Sequence, residues 1–338
     1  MRAHRCTALV VALLALAPAM AWTKGPAGLT GTPLTRPTHL QLVVAGSPPA
    51  IVHVDLGSIS PLDGIPPTGP GGAWVMPTRD GALAAIVRKG VTRAMRISSN
   101  GTTTAVTQGL GVLPVAGSDD VWVMRTRAGG GCTLAGASGS RAVRTSCGFL
   151  ESDGPAGVVI GTQQGERLID PTSGRVLLTR TGDGSTIVPL HGQLVLDTAG
   201  GPPVDTAPLE LRNLANGHAT RLHWPSGLDL LDGIAVAPSG PLVAVGFANP
   251  SGDPQAEDLF LLDTRTGRFT HVPGFPINED LKFSSVAWTR DGRLVMTSRL
   301  NGKSVLGVYR PGDRAVSVMP LELPPNAGSD TFVPLVSG

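Results

Sequence analysis

The stretch "AWTRDGRLVMTSRLNGKSVLGVYRPGDRAVSVM", residues 287–319, decides the fold because it contains two successive β-hairpins. Apolar and polar residues alternate on both sides of two turns, at Asp291-Gly292 and at Pro311-Gly312. Glycine adopts the positive φ of a tight turn at little cost, so these two sites predict reversals between strands. Two hairpins in a row predict a unit of four antiparallel strands.

The second hairpin of this unit recurs along the whole chain. Each copy consists of an apolar strand, a turn that contains glycine, and another apolar strand. The turn glycines are Gly57, Gly101, Gly139, Gly174, Gly217, Gly267 and Gly312. The differences between these numbers are 44, 38, 35, 43, 50 and 45 residues. This period predicts an all-β fold, a single β-propeller of seven four-stranded blades. Six or eight blades remain alternatives, because the third to fifth units are poorly patterned in their first halves.

The two ends of the repeat array complement each other. The first unit begins near His39 and lacks a first strand, whereas the segment "DTFVPLV", residues 330–336, follows the last complete unit as an extra strand. Pairing the extra strand with the incomplete unit removes two open sheet edges at once. We therefore predict a ring that is closed by its C-terminal strand, with the propeller spanning 39–338.

Composition agrees with short strands and argues against several partners. The 338 residues include 45 Gly and 30 Pro, which leave little room for long helices. Lys and Arg total 27 against 25 Asp and Glu, and no basic run could neutralise a row of phosphates. We expect no nucleic-acid partner and no cofactor, and we expect a monomer.

The first residues predict export. "MRAHR" is a positive n-region, "TALVVALLALAP" is a short apolar segment, and "AMA" at 19–21 is a small-residue cleavage site. Residues 1–21 are therefore interpreted as a secretory signal peptide, and the Pro-, Gly- and Thr-rich residues 22–38 as a linker. The alternative is an uncleaved membrane anchor over residues 6–22, at the lower limit of bilayer-spanning length. Either case predicts a protein that is secreted or held in the cell envelope.

The quoted stretch resembles the WD40-like repeat of the TolB family, in which Trp, Ser or Thr and Asp-Gly precede an apolar strand. "LDTRTGR" at 262–268 and "IDPTSGR" at 169–175 are similar to the second half of that repeat. The resemblance covers about three of the seven units. It implies a propeller that binds proteins or small molecules at the ends of its channel, and it carries over no catalytic residue.

Cys132 and Cys147 predict a disulfide within the third unit. They lie seven residues before and eight residues after Gly139, so that an antiparallel ladder would place them opposite each other. Export supplies the oxidising compartment, and no further ligands that a zinc site would require are nearby. We predict a structural cross-strand disulfide.

Acidic residues near the sixth unit are candidates for a binding rim. Asp253, Glu257 and Asp258 lie in a segment between two central strands, and Glu279 and Asp280 lie in the next connection. Such carboxylates could bind a cation or a basic ligand. A solvated loop is the alternative, since no calcium-loop pattern is present.

Tryptophans and histidines give weaker indications. Trp74, Trp122 and Trp288 are predicted to occupy equivalent strand positions in the core between blades. Trp224 is the most isolated aromatic residue and therefore the first candidate for ligand contact. The seven histidines show no metal-ligand spacing, so no metal site and no catalytic residue are assigned.

The sequence favours a non-enzymatic exported propeller that binds a protein or a small molecule at its rim. The alternative is an exported propeller enzyme, lactonase- or hydrolase-like. Its site would be assembled at the channel mouth from several blades, and such a site leaves no local motif.

Overall fold

The structure is a computed structural model of the 338-residue chain. It describes residues 28–65, 72–139, 141–182, 184–198, 208–225, 228, 230–249, 256–277, 286–300, 303–324 and 332–336. The signal peptide predicted for 1–21 lies outside these residues.

Short β-strands make up most of the described residues. In chain order they are β1 (Thr32–Pro33), β2 (Leu40–Val44), β3 (Ala50–His53), β4 (Ser58–Pro61), β5 (Ala73–Thr78), β6 (Gly81–Arg88), β7 (Val91–Ser98), β8 (Thr103–Gly109), β9 (Gly111–Pro114), β10 (Val121–Thr126), β11 (Cys132–Gly136), β12 (Val143–Thr145), β13 (Phe149–Gly154), β14 (Gly157–Thr162), β15 (Gly165–Ile169), β16 (Val176–Thr181), β17 (Thr186–Pro189), β18 (Leu194–Thr198), β19 (Leu209–Asn213), β20 (Ala219–Leu222), β21 (Leu230–Val236), β22 (Leu242–Asn249), β23 (Ala256–Asp263), β24 (Arg268–His271), β25 (Val286–Trp288), β26 (Leu294–Leu300), β27 (Lys303–Tyr309), β28 (Ser317–Leu321) and β29 (Phe332–Val336). One 3-10 turn, Val54–Leu56, follows β3.

Seven antiparallel sheets form a ring, which confirms the predicted all-β propeller and its blade count. Blade 1 has the order β29-β2-β3-β4, and blades 2 to 6 are β5 to β8, β9 to β12, β13 to β16, β17 to β20 and β21 to β24. Blade 7 is β25 to β28, with β1 added to the edge of β28. Each of the seven turn glycines predicted from the repeat joins the third strand of a blade to its fourth, and all have positive φ.

The C-terminal strand closes the ring as predicted. β29 pairs antiparallel with β2, from Leu40 opposite Val336 to Val44 opposite Phe332. Blade 1 thus takes its first strand from the far end of the chain, and β2 is left without a free edge.

The first strand of each blade lies innermost. β29 contacts β5 and β25, and β9 contacts β5 and β13, so the first strands of neighbouring blades meet around the channel. Because successive strands of a blade run in opposite directions, the loops that join them lie on two opposite faces of the ring. We call "turn face" the side where first strands turn into second strands and third into fourth. We call "connection face" the side where second strands turn into third and where one blade leads into the next.

The hydrophobic core is divided among the seven junctions between blades. Each junction contains its own cluster of buried apolar side chains. Between blades 7 and 1, for example, Leu42 packs with Val295 and Leu306. Alternate residues of the middle strands face the two neighbouring blades, so both faces of a sheet are covered.

Residues 28–38, which belong to the predicted linker, follow the surface of blade 7. Leu29 is buried in the junction between blades 6 and 7, and β1 pairs in parallel with β28, with Thr32 opposite Ser317. Gly31 permits this close approach, because a Cβ atom there would collide with the Val316 carbonyl oxygen. Turn-type composition therefore does not exclude an ordered edge segment.

The predicted disulfide between Cys132 and Cys147 is formed, with the two Cα atoms 5.0 Å apart. The predicted register is wrong, however, because the ladder pairs Cys132 with Thr145 rather than with Cys147. β12 ends at Thr145, and Cys147 lies two residues beyond it, in the link that leads into blade 4. The disulfide therefore fixes the connection that leads into blade 4.

Candidate functional site

The two predicted rim carboxylates that the structure describes are buried. Glu257 and Asp258 lie near the start of β23, where the Glu257 backbone exchanges hydrogen bonds of 3.0 and 2.9 Å with Ile277. Asp258 Oδ1 lies 2.7 Å from His271 Nε2 and accepts the Leu259 amide at 2.8 Å. Asp258 is therefore engaged within blade 6 and does not form part of an exposed rim. The remaining predicted rim residues lie outside the described residues: Asp253, Glu279 and Asp280.

Trp224 belongs to an aromatic cluster between blades 5 and 6. Its ring meets Phe247 edge-on, with the centroids 5.4 Å apart, and Phe247 contacts Phe260 and Phe269 in the same way. Phe260 in turn contacts the His271 ring, with the centroids 5.1 Å apart. The three phenylalanines lie on strands of blade 6, whereas Trp224 follows the last strand of blade 5. Trp224 is therefore isolated in the sequence but packed in the fold.

The three tryptophans predicted as equivalent core residues occupy different places. Trp288 packs between blades 6 and 7 and donates its Nε1–H to the Ala235 carbonyl oxygen at 2.8 Å. Trp122 packs between blades 3 and 4, but on the second strand of its blade rather than the first. The prediction is wrong for Trp74, which is 47% exposed near the start of β5.

Ion pairs join charged side chains of neighbouring turns on part of the turn face. Asp80 lies 3.3 Å from Arg79 and 3.4 Å from Arg290, and Arg79 also lies 3.5 Å from Asp119. These residues occupy turns of blades 2, 3 and 7. The charges on this part of the turn face are thus compensated within the protein.

The connection face carries exposed apolar side chains on blades 2 to 4. Trp74 lies near the start of β5, Leu110 directly precedes β9, and Phe149 begins β13. Val91, at the start of β7, lies on the same face. All four are exposed, and Phe149 reaches 76%. Exposed large apolar residues that gather on one face are typical of interaction sites.

Cations accompany these apolar residues. Arg88 and Lys89 lie at the link between β6 and β7, Arg93 on β7, and Arg125 and Arg127 at the link between β10 and β11. Among the residues that the structure describes, no carboxylate lies within ion-pair distance of any of the five. The local potential on the connection face of blades 2 and 3 is therefore positive.

An open groove of about 920 Å³ lies among these cations, at the outer side of blades 2 and 3. Residues 105–109 of β8, Leu110 and Arg93 line it. Arg125 of blade 3 also lines it. The Arg125 Nη2 group donates a hydrogen bond of 3.2 Å to Thr107 Oγ1, so the cation is held against β8. A smaller groove of about 490 Å³ lies between blades 6 and 7, near Asp263 and Asp313.

Two glutamates, Glu151 on β13 and Glu166 on β15, lie near the connection face of blade 4. Burial raises the pKa of Glu166 to about 7, an effect that the Ile187 amide opposes and the nearby Glu151 charge reinforces. Burial also raises the pKa of Glu151. Gly161 leaves room for this pair, because a Cβ atom there would collide with Glu151 Oε1. A carboxyl group with a pKa near neutrality can donate or accept a proton.

A buried charge network joins the outer parts of blades 4 and 5. Asp197 is 1% exposed and accepts hydrogen bonds from Arg180 Nε at 2.7 Å and from Arg212 Nε at 3.1 Å. Arg212 also pairs with Glu210. The network resembles a structural clamp, since every charge in it has a partner.

Metal-ligand groups and membrane-spanning helices are absent from the described part of the chain. Within those ranges, no three His, Cys, Asp or Glu side chains are grouped so that they could hold a metal ion. None of the same residues forms a helix with the length and hydropathy needed to span a bilayer.

Comparison with known proteins finds similarity at the level of structure. No protein-family profile matches the sequence, and no curated protein matches it. A protein from Bacteroides fragilis assigned as a 6-phosphogluconolactonase superposes with a TM-score of 0.53, at 11% identity over 87% of this chain and 98% of that chain. Dihydro-heme d1 dehydrogenase NirN gives 0.51, at 14% identity over 92% of this chain and 78% of that chain.

TolB from Acinetobacter baumannii is also among the similar structures. Its TM-score is 0.48, at 12% identity over 88% of this chain, and the chain spans 65% of the length of that protein. The likeness is one of fold. The seven-bladed ring agrees with the propeller that the TolB-like repeats implied.

Proposed function

We propose that this protein is an exported, non-enzymatic binding module that holds its partner on the connection face of blades 2 to 4. The observation that carries the proposal is the contrast between the two faces. Trp74, Leu110 and Phe149 are exposed beside cations that lack a described carboxylate partner, whereas Arg79 and Arg290 on the turn face are paired with Asp80. A surface that combines exposed apolar side chains with uncompensated positive charge supports binding of a partner.

Export is supported by two independent features. The first 21 residues have the arrangement of a signal peptide. The disulfide between Cys132 and Cys147 is of a kind that persists in oxidising compartments. Intact-mass measurement of the exported protein tests this part, and we expect a chain that begins at Trp22.

Affinity capture from envelope extract tests the binding face. The bait is the exported protein, compared with a Trp74→Ser/Phe149→Ser variant. The matched control is Leu56→Ser, which removes a side chain that is 78% exposed beside the turn of blade 1, on the turn face. We expect the double variant to lose the captured partner and the control to retain it. Equal capture by all three proteins would refute the proposed face.

Hydrolysis is the second candidate function, and the Glu151–Glu166 pair favours it. A Glu166 pKa of about 7 suits a general acid or base near the connection face. The test is turnover of a panel of lactones and nitrophenyl esters by the exported protein and by Glu166→Gln. Turnover that disappears in Glu166→Gln would establish the enzyme and overturn the non-enzymatic proposal. We expect no difference between the two proteins.

A further inference from the structure

We infer that the groove between blades 2 and 3 binds an acidic, extended polypeptide segment, which adds as a strand to the outer edge of β8. This inference rests on the proposed function, since it names the partner class for the connection face. It is carried by the shape of the groove, the free edge of β8 and the charge around it.

β8 offers backbone groups to a further strand. It is the last strand of the sheet β5-β6-β7-β8, and no described residue pairs with its outer edge. Residues 105–109 line the groove, which corresponds to about 17 Å of extended chain. An unpaired edge of this kind is the usual acceptor in strand addition.

The protein already contains one added strand. β1 lies parallel to β28 and extends blade 7 to five strands, through the Thr32 amide donating to the Val316 carbonyl oxygen at 2.9 Å and the Leu34 amide to that of Val318 at 2.8 Å. The outer edge of a blade in this fold therefore accommodates an extended segment.

The charge of the groove selects the partner. Arg93 and Arg125 line it, and Arg88 and Lys89 lie at the adjacent link between β6 and β7. Acidic side chains of a bound strand would meet these cations, while Val91 and Leu110, which also line the groove, would contact an apolar side chain of the partner near the connection face.

A polypeptide fits these features better than a lipid surface does. Membrane-surface binding relies on apolar side chains that enter the headgroup region, whereas this open groove is bordered along one side by the backbone of a strand. The outer edge of β8 can form backbone hydrogen bonds only with a partner that is itself a polypeptide.

Binding to a peptide array is the test. The probes are seven-residue peptides in which aspartate or glutamate alternates with valine, leucine or phenylalanine, and a reference set replaces every acidic residue with lysine. We expect acidic members to bind at least about tenfold more tightly than their lysine counterparts, with affinity that falls as salt is raised. Equal binding of both sets, or binding of neither, would overturn the inference.

Charge reversal locates the site. Arg93→Glu/Arg125→Glu is expected to weaken binding of the acidic peptides by about tenfold or more, and Arg93→Gln/Arg125→Gln to weaken it by less. Arg265→Glu, on the exposed turn of blade 6, is the control and should bind as the unaltered protein does. Loss of binding in the control as well would place the peptide elsewhere.

Backbone methylation tests strand addition itself. Two forms of a bound peptide are compared, one N-methylated at its odd-numbered residues and the other at its even-numbered residues. One form should lose binding and the other should retain it, because only one edge of the added strand faces β8. Equal binding of both forms would exclude strand addition.

Two outcomes separate this inference from the proposed function. If vesicles containing phosphatidylglycerol bind and the acidic peptides do not, the partner is a lipid surface and the inference fails. If neither probe binds but Trp74→Ser/Phe149→Ser still loses the captured partner, the proposed face stands and only the acidic strand is refuted.

Discussion

The Arg290 guanidinium lies 3.4 Å from the Asp80 carboxylate, although 210 positions separate the two residues in the chain. Arg290 belongs to a turn of blade 7 and Asp80 to a turn of blade 2, so the contact spans blade 1. Blade 1 has no turn of its own at this place, because its first strand is β29. The ion pair therefore bridges the point at which the ring closes.

Two aspartates that each bridge two arginines are expected to differ in their effect on stability. Asp197 is buried between Arg180 and Arg212, so Asp197→Asn should lower the free energy of unfolding by about 3 kcal/mol, since it leaves poorly compensated cations. Asp80→Asn, on the exposed turn, should leave the urea midpoint unchanged. Equal losses in urea denaturation would contradict the assignment of Asp197 as a structural clamp.

Stability should fall as pH rises through the range set by Glu166. Its pKa is raised from 4.5 in the unfolded chain to about 7 in the fold, so the folded state binds more protons between these values. The contribution of Glu166 is then fully present below pH 4.5 and is lost up to about pH 7. For a fully buried group, this shift in pKa would lower the free energy of unfolding by about 3 kcal/mol. Partial exposure of Glu166 reduces the expected loss to about 1 to 2 kcal/mol.

Glu166→Gln tests that pH dependence. Its amide oxygen can still accept the Ile187 N–H, which now bonds to Glu166 Oε2 at 2.5 Å. Thermal unfolding at pH 5 and pH 8 should differ less in this variant than in the unaltered protein. An unchanged difference would show that other groups control the pH dependence.

The disulfide should contribute about 3 kcal/mol to stability, the value expected for a closed loop of about 15 residues. Cys132→Ser/Cys147→Ser should lower the urea midpoint accordingly. Thiol titration of the exported protein should detect neither cysteine before reduction and both afterwards. Two free thiols before reduction would refute the bond.

Ring closure should depend strongly on the apolar face of β29. Val333 is buried in the junction between blades 1 and 2, so Val333→Asp should destabilise by more than about 3 kcal/mol through burial of an unpaired charge. Val333→Ala should cost only about 2 kcal/mol. Urea denaturation measures both, and similar losses would argue against a closed, dry junction.

Local sequence patterns were sufficient to predict the blades. The glycines at the outer hairpins, such as Gly57 and Gly312, adopt the positive φ that the turns require. The surplus strand at 332–336 completes blade 1 because an incomplete sheet and a spare strand satisfy each other's edges. Both features can be read from the sequence, because the turns depend on neighbouring residues and the closure depends only on the number of strands.

The candidate site could not be predicted in the same way. Trp74, Leu110 and Phe149 have the character of ordinary strand residues, and only the ring places them on one face. Trp224 looked isolated because its partner Phe247 lies in the next blade. Likewise, the acidic cluster around Asp258 suggested a rim, whereas the fold pairs this carboxylate with a histidine on the neighbouring strand. Contacts between strands and blades depend on packing, which the repeat pattern does not encode.

The closing strand also fixes the order of events during biosynthesis. β2 must wait for its partner until residues 332–336 have been made, almost the entire length of the chain later. Meanwhile the apolar residues Leu40–Val44 present an unpaired edge that can associate with other chains. Such a distant pairing is slow to form. A newly made molecule is therefore vulnerable to aggregation until residues 332–336 have been made, and a chaperone that shields β2 would act during that interval.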